Sequence, residues 1–225
     1  TRRSSDLVSN LEDAAKKAVE LSGNHNDVFL KSLEKAYMEI PALALKMAKE
    51  NNGKYLRGLF SGGTLCDEAQ LVLRNYTKNI YSNTPLAGLS LLENEWKSKA
   101  NTIVDLGDDK FTSGRPHPMI DFSLRNKRIV EEASDPETAV ILLDVVLGYG
   151  SHPDPASELV PAIRKARLVS QKVQFVCSVT GTDKDHQDRE RVKSALEKEG
   201  VVVMPSNYAA CCLCGEIINN IELKK

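Results

Sequence analysis

The stretch AVILLDVVL at 139–147 restricts the fold more than any other part of the chain. It is apolar at almost every position, so as a strand it needs helices over both faces, the situation of a central strand in a parallel sheet. From Gly53 onward, similar short apolar runs alternate with helical stretches, as in βα units stacked side by side. Five strands are predicted: Leu56–Phe60, Thr102–Asp105, Thr138–Asp144 or slightly beyond, Val173–Val179 and Val201–Met204. The fold class that follows is α/β, with a five-stranded parallel sheet flanked by helices.

The intervening helices carry their own start signals. Thr64 or a neighbour opens the first, Pro118 suits the first helical position before MIDFSLRNKRIVEEA, and Pro155 does the same before ASELVPAIRKARLV. Asp183 or Asp185 can cap the fourth, and Ser206 or Asn207 the last. The stretch 82–100, with the lone Trp96, reads as a partly helical connection. Ahead of the sheet, a short extended piece from residue 5 leads to a helix that Ser9 or Asn10 can cap and Gly23 ends. After the linker NHND, apolar residues recur at helical spacing over 28–52, where Pro41 should kink or split the segment. The expected division is a tail of a preceding domain at 1–24, a helical connector at 25–53 and the main domain at 54–225.

Composition excludes several classes. Apolar residues at 41% and charged residues at 27% are ordinary globular values. A net charge of -1, with cations and anions interspersed, offers no basic face, so nucleic acid is not an expected partner. No apolar run reaches the roughly 20 residues of a membrane span, and TRRSSDLVSN is too polar for a signal peptide. A soluble, cytoplasmic protein without membrane partners is expected. Five cysteines, three of them at Cys211, Cys212 and Cys214, suit free thiols in a reducing compartment. The missing initial methionine raises the expectation of a fragment.

In open parallel sheets, ligands bind beyond the carboxyl ends of the strands. The loops predicted there contain Ser61, Gly62, Gly63 and Thr64; then Gly114, Arg115 and His117 in GRPHP; then Gly148 and Gly150; then Thr180 and Gly181. Glycines let an anion approach the backbone, and free amides at a helix start favour it, so SGGT can hold phosphate or carboxylate. A tight strand-to-helix turn calls for the same glycines, and both readings stay open. Arg115 offers a planar fork to an anion, and histidine as a residue type exchanges protons near neutral pH. Asp105 and Asp144 end apolar strands, where an unpaired carboxylate is costly, so each needs a partner. They could orient Arg115 or His117, move a proton, or cap a loop. Arg115, His117 and Asp144 form the candidate catalytic set. The cysteines lack a histidine or a further CxxC pair, and Asp108 with Asp109 reads as a solvated pair, so no metal site is assigned. Cys66 stands beside Asp67 and Glu68, which oppose thiolate formation, and is not assigned as a nucleophile.

The segments GLFSGGTLCDEA, IVDLGDDKFTSGRPHPMID, ILLDVVLGYGSHPDPA and SVTGTDKD resemble, in order and spacing, the FdrA family of succinyl-CoA synthetase-like acyl-CoA ligases. The resemblance covers about residues 55–210. It implies a flavodoxin-like CoA-ligase domain with strand order 2-1-3-4-5, preceded by a Rossmann-type CoA-binding-like domain whose last strand and helix residues 5–23 would resemble. It also implies CoA or phosphate as ligands, a small carboxylate or phosphate as substrate, and further subunits as partners. Ligases of this class carry a phosphohistidine in a Gly-His-Ala-Gly loop after the fourth strand; this chain has TGTDKDHQDRER there, and His186 lacks the flanking glycines. FdrA proteins are also associated with oxamate carbamoyltransferase, and the resemblance therefore implies carbamoyl phosphate and oxamate as possible substrates. A non-catalytic interface module between subunits is the alternative.

Overall fold

The computed structural model describes residues 8–23 and 27–224; the extended piece expected at 5–7 and most of the NHND linker lie outside the described residues. Among the described residues seven strands form one sheet: β1 (Tyr55–Phe60), β2 (Ile80–Ser82), β3 (Ser90–Leu91), β4 (Asn101–Asp105), β5 (Thr138–Val146), β6 (Gln174–Thr180) and β7 (Val202–Met204). Their order is β3-β2-β4-β1-β5-β6-β7, and every pairing is parallel. The expected count of five is therefore corrected to seven, and the order 2-1-3-4-5 is not the order of the whole sheet. The five anticipated segments lie side by side as β4-β1-β5-β6-β7, and β2 and β3 extend the sheet beyond β4. These two strands span only three and two residues, too few for a period-two pattern to show, and they fall where a partly helical connection is expected.

Among the described residues eight helices accompany the strands: α1 (Leu11–Leu21), α2 (Asp27–Glu50), α3 (Gly63–Leu73), α4 (Asp109–Thr112), α5 (Ser123–Ser134), α6 (Pro155–Val169), α7 (Arg189–Lys198) and α8 (Asn207–Glu222). Pro155 takes the first position of α6 and Ser206 caps α8, both as the sequence predicts. Two starts differ. Pro118 lies in a turn and α5 begins at Ser123, while α7 is capped by Asp188 rather than by Asp183 or Asp185. α2 runs through Pro41 without splitting, because Ile40, Ala44 and Met47 are buried in the same apolar layer as Leu213 and Ile217 of α8.

The sheet is covered on both faces, as β5 requires. Val140 and Leu142 pack with α2, α3 and α8, whereas Ile141, Leu143 and Val145 pack with α5, α6 and α7. Each such side chain, fully buried, contributes about 1.5–3 kcal/mol. Buried Arg57 fixes α5 against β1 at the amino edge, pairing with Glu132 at 2.9 Å and with half-buried Asp135 at 2.7 Å, while Arg128 pairs with Glu132 within α5 at 2.6 Å. At the carboxyl edge, α1 is docked through reciprocal bonds. Its Leu11 N–H donates to Glu68 of α3 at 2.9 Å, and its Glu12 accepts from Tyr37 of α2 at 2.8 Å and from Ser206 at 2.5 Å. No helix of the described residues is long and apolar enough to cross a membrane.

All five cysteines are free thiols inside this core. Burial pushes the Cys66, Cys211 and Cys214 thiols well above their ordinary value and Cys177 up to about 12. The native protein should therefore show no rapid reaction with a charged aromatic disulfide reagent at about pH 8. In guanidinium all five should titrate. Rapid stoichiometric reaction of a native thiol would contradict this packing.

Candidate functional site

At the carboxyl end of β1 the chain turns from buried Ser61 through Gly62 into α3. Gly62 caps the helix in an extended conformation, and among the described residues no side chain bonds to the first-turn amides. Those amides carry the positive end of the helix dipole. A side chain at Gly62 would meet nothing within 4 Å, whereas one at Gly63 would approach Asp105 Oδ2 at 3.3 Å. The turn opens onto a crevice of about 370 Å³, walled also by Met119, Asp144 and Thr180. This is a concave surface at which backbone amides can meet an anion.

Asp144 is buried near the end of β5, and its oxygens are occupied. Oδ1 accepts the Ser61 N–H at 2.8 Å and Arg125 Nη1 at 2.9 Å, while the Ser61 hydroxyl donates to Oδ2. Arg125 Nη1 also donates to the Asp144 carbonyl at 2.8 Å, and its guanidinium lies 4.5 Å from the Phe122 ring centre. Both side chains are 1% exposed. The aspartate thus ties β5, the SGGT turn and α5 together.

Asp105, at the end of β4, is held differently. Its main chain is bonded both ways to the Asn83 side chain at 2.9 Å, and Oδ1 accepts the Gly107 N–H at 2.8 Å. Burial raises its pKa above the ordinary carboxylate value; the Gly107 bond opposes this, the Asp108 and Asp144 charges add to it, and His117 opposes it. His117 is half-buried, with Nδ1 accepting the Met119 N–H at 3.2 Å, so in the neutral ring the proton sits on Nε2. A Cβ at Gly107 would come within 2.8 Å of that Nε2, 2.9 Å of the Ser61 carbonyl and 3.1 Å of Asp105 Oδ1. These three groups converge because Gly107 has no side chain.

The other predicted residues are spread along the edge. Arg115 and Gly114 are exposed, and the Arg115 guanidinium lies 5.9 Å from the Trp96 ring centre. Gly148, at φ +122°, is bonded through both its N–H and its carbonyl to the side chain of Gln187, which is fully buried. Gly150 is exposed. Thr180 lines the crevice, while Gly181 is needed for packing, since a Cβ there would lie 2.7 Å from Leu147. His186 is exposed, its ring 5.6 Å from that of Tyr149. The fold therefore gathers Ser61 to Thr64, His117, Asp144 and Thr180, and leaves Arg115, Gly114 and Gly150 on the outer rim. Arg125, Asn83 and Gln187 are the structural partners that the sequence reading misses. For Arg125 a signal existed: it stands four residues before buried Ile129, on the inward face of α5.

This arrangement, an uncapped helix start facing the ends of a parallel sheet, coincides with a family assignment. The CoA-ligase family model matches residues 59–217, and the chain belongs to that family, the succinyl-CoA synthetase-like class. The chain is 38% identical over 212 residues to the uncharacterized protein YahF of Escherichia coli (strain K12), covering 92% of this chain and 40% of YahF. It thus spans 40% of the length of that relative. The solved structure of PH0766 from Pyrococcus horikoshii OT3 is similar with a TM-score of 0.48 and 14% identity, covering 93% of this chain and 44% of that one. None of these similarities extends the assignment to the FdrA family in particular or to carbamoyl transfer.

Two outcomes follow from the paired acids. Asp144→Ala leaves Arg125 buried without its partner and should cost about 3–5 kcal/mol in denaturant unfolding. The double variant Arg125→Met, Asp144→Leu should recover the part of that loss due to the stranded guanidinium, while the Ser61 amide and hydroxyl stay unpaired in both; equal loss in both would show that the ion pair is not the source. For Asp105, a raised folded pKa favours folding at pH below the ordinary carboxylate value, and this contribution is lost as pH rises through the folded value. Asp105→Asn keeps an acceptor for Gly107, so it should melt higher than the parent at neutral pH, with the gap closing as pH falls towards about 4. A gap independent of pH in thermal melts would contradict the raised pKa.

Proposed function

We propose that this chain is the CoA-ligase-type domain of an acyl-CoA ligase-like enzyme, handling a small carboxylate, with a phosphate or carboxylate group held at the start of α3. The observation that carries the reading is the first turn of α3, uncapped by any side chain, facing the crevice beside Gly62. Its amides supply fixed donors where negative charge develops, and the buried walls strengthen that attraction. His117 and Asp105 flank the back of the turn, where Gly107 leaves room for both. Asp144 acts in this reading as an anchor, because its oxygens are already committed. Arg115, lying over Trp96, reaches substrate only from the rim.

CoA and further subunits would meet the domain at this same edge, and the complete reaction is assigned to the full-length protein. The first test is direct binding of inorganic phosphate to the chain, followed by calorimetry. Gly62→Leu places a side chain in the open crevice, so it should weaken phosphate binding by about tenfold or more while leaving the melting temperature within a few degrees. Absence of saturable phosphate binding in the parent chain would sink the anion-site reading. In the full-length protein, formation of an acyl-CoA from a small carboxylate supports ligase chemistry. Carbamoyl phosphate from oxalurate and phosphate, without thioester, would instead favour the oxamate carbamoyltransferase reading of an FdrA-type protein.

A further inference from the structure

Next to the α3 crevice lies a larger one of about 540 Å³, sharing Leu11, Leu65 and Thr180 with it as a common wall. Its volume falls in the range of roughly 300–1,000 Å³ that houses small organic ligands. It sits over the ends of β6 and β7, and α1 forms its roof. Two polar side chains of its lining each keep one atom without a protein partner among the described residues. Arg189, the first residue of α7, donates from Nε to the Val179 carbonyl at 3.3 Å and from Nη1 to exposed Glu190 at 3.2 Å, leaving Nη2 without a protein partner among the described residues. Asn207, the first residue of α8, is 5% exposed; its Nδ2 donates to the Leu65 carbonyl at 3.1 Å and to Glu68 at 2.9 Å, while Oδ1 has no partner. A buried acceptor left unpaired is costly and calls for a donor that the protein itself does not provide.

The acids on this wall do not cancel Arg189. Glu12 is engaged by Lys16, Tyr37 and Ser206, and Glu68 by Leu11 and Asn207. Asp183 stands on the exposed rim. The rest of the lining is largely apolar, from Leu11, Phe29, Leu65 and the Tyr208 ring. We propose that this compartment is a binding site for a small organic anion that carries an N–H donor on an apolar body. Arg189 grips the anionic group, Asn207 Oδ1 accepts the N–H, and the apolar body lies beneath α1. The site is separate from the α3 amides and stands whether or not those amides bind phosphate.

N-butyrylglycine is a suitable probe, having a carboxylate, an amide N–H and a short apolar tail; butyryloxyacetate replaces that N–H by an ester oxygen. Titrations of the whole chain followed by nitrogen–proton correlation NMR should show saturable shifts at Thr180 to Asp183 and at Asn207 with N-butyrylglycine. Affinity should fall by about tenfold or more in Arg189→Gln, fall again in Ala15→Trp, which fills the space under α1, and be weaker for the ester in the parent chain. Inorganic phosphate should shift Gly62 to Leu65 equally in the parent and in Arg189→Gln, which separates this site from the α3 site. Absence of saturable shifts at Thr180 to Asp183, or equal affinity in the parent and both variants, would overturn the proposal. Equal affinity for amide and ester would overturn the role given to Asn207.

Discussion

The Asp144 carboxylate is the charge around which the carboxyl edge of the sheet is organised. It lies two residues before the end of the most apolar strand of the chain, where an ion without partners would be untenable. Its position therefore demands the Ser61 amide and hydroxyl on one side and Arg125 on the other. The first bond fixes where β1 stops and α3 starts. The second fixes α5, which Arg57 of β1 holds at its opposite end through Glu132. Burial also lowers the pKa of Arg125, and the Asp144 charge opposes that shift, so the two ions sustain one another. A turn clamped in this way presents its amides in a fixed direction before any ligand arrives, which is the condition for electrostatic stabilisation without reorganisation.

Much of the sheet was legible because its central strands are apolar on both faces and their length exceeds the resolution of periodicity. The peripheral strands were not, since Ile80–Ser82 and Ser90–Leu91 owe their strand state to pairing with β4 and with each other rather than to pattern. Helix starts failed where a turn intervened: Pro118 serves the His117-to-Asp121 turn and leaves α5 to begin five residues later, at Ser123. The site was legible in its backbone parts and less so in its side chains. SGGT announced an open helix start, and Asp144 announced the need for a partner. That partner was hidden because Arg125 sits in LRNKR, a string that reads as a solvated face until Ile129 and Ala133 show which side is inward.

Arg115 and His117 illustrate why neighbours in sequence need not share a site. Pro116 keeps the loop extended between them, so the guanidinium extends towards Trp96 on the rim while the imidazole turns in towards Gly107 and Asp105. Composition cannot separate these outcomes, because a cation beside a histidine has the same letters whether the two side chains converge or diverge. What decides it is the space at Gly107, where any larger residue would displace the histidine ring.

The loop after β6 shows the same logic applied to a segment where the family places a reactive histidine. Here Gly181 is consumed by packing against Leu147, Thr182 and Asp185 bond to one another, and Gln187 clamps Gly148 from beneath. His186 is left outside, against Tyr149. This segment braces its neighbours through those bonds. It also delivers Arg189 to the wall of the adjoining compartment through Asp188, whose φ of +59° is strained for a residue with a side chain. The edge thus holds two recesses side by side, one at the start of α3 and one under α1.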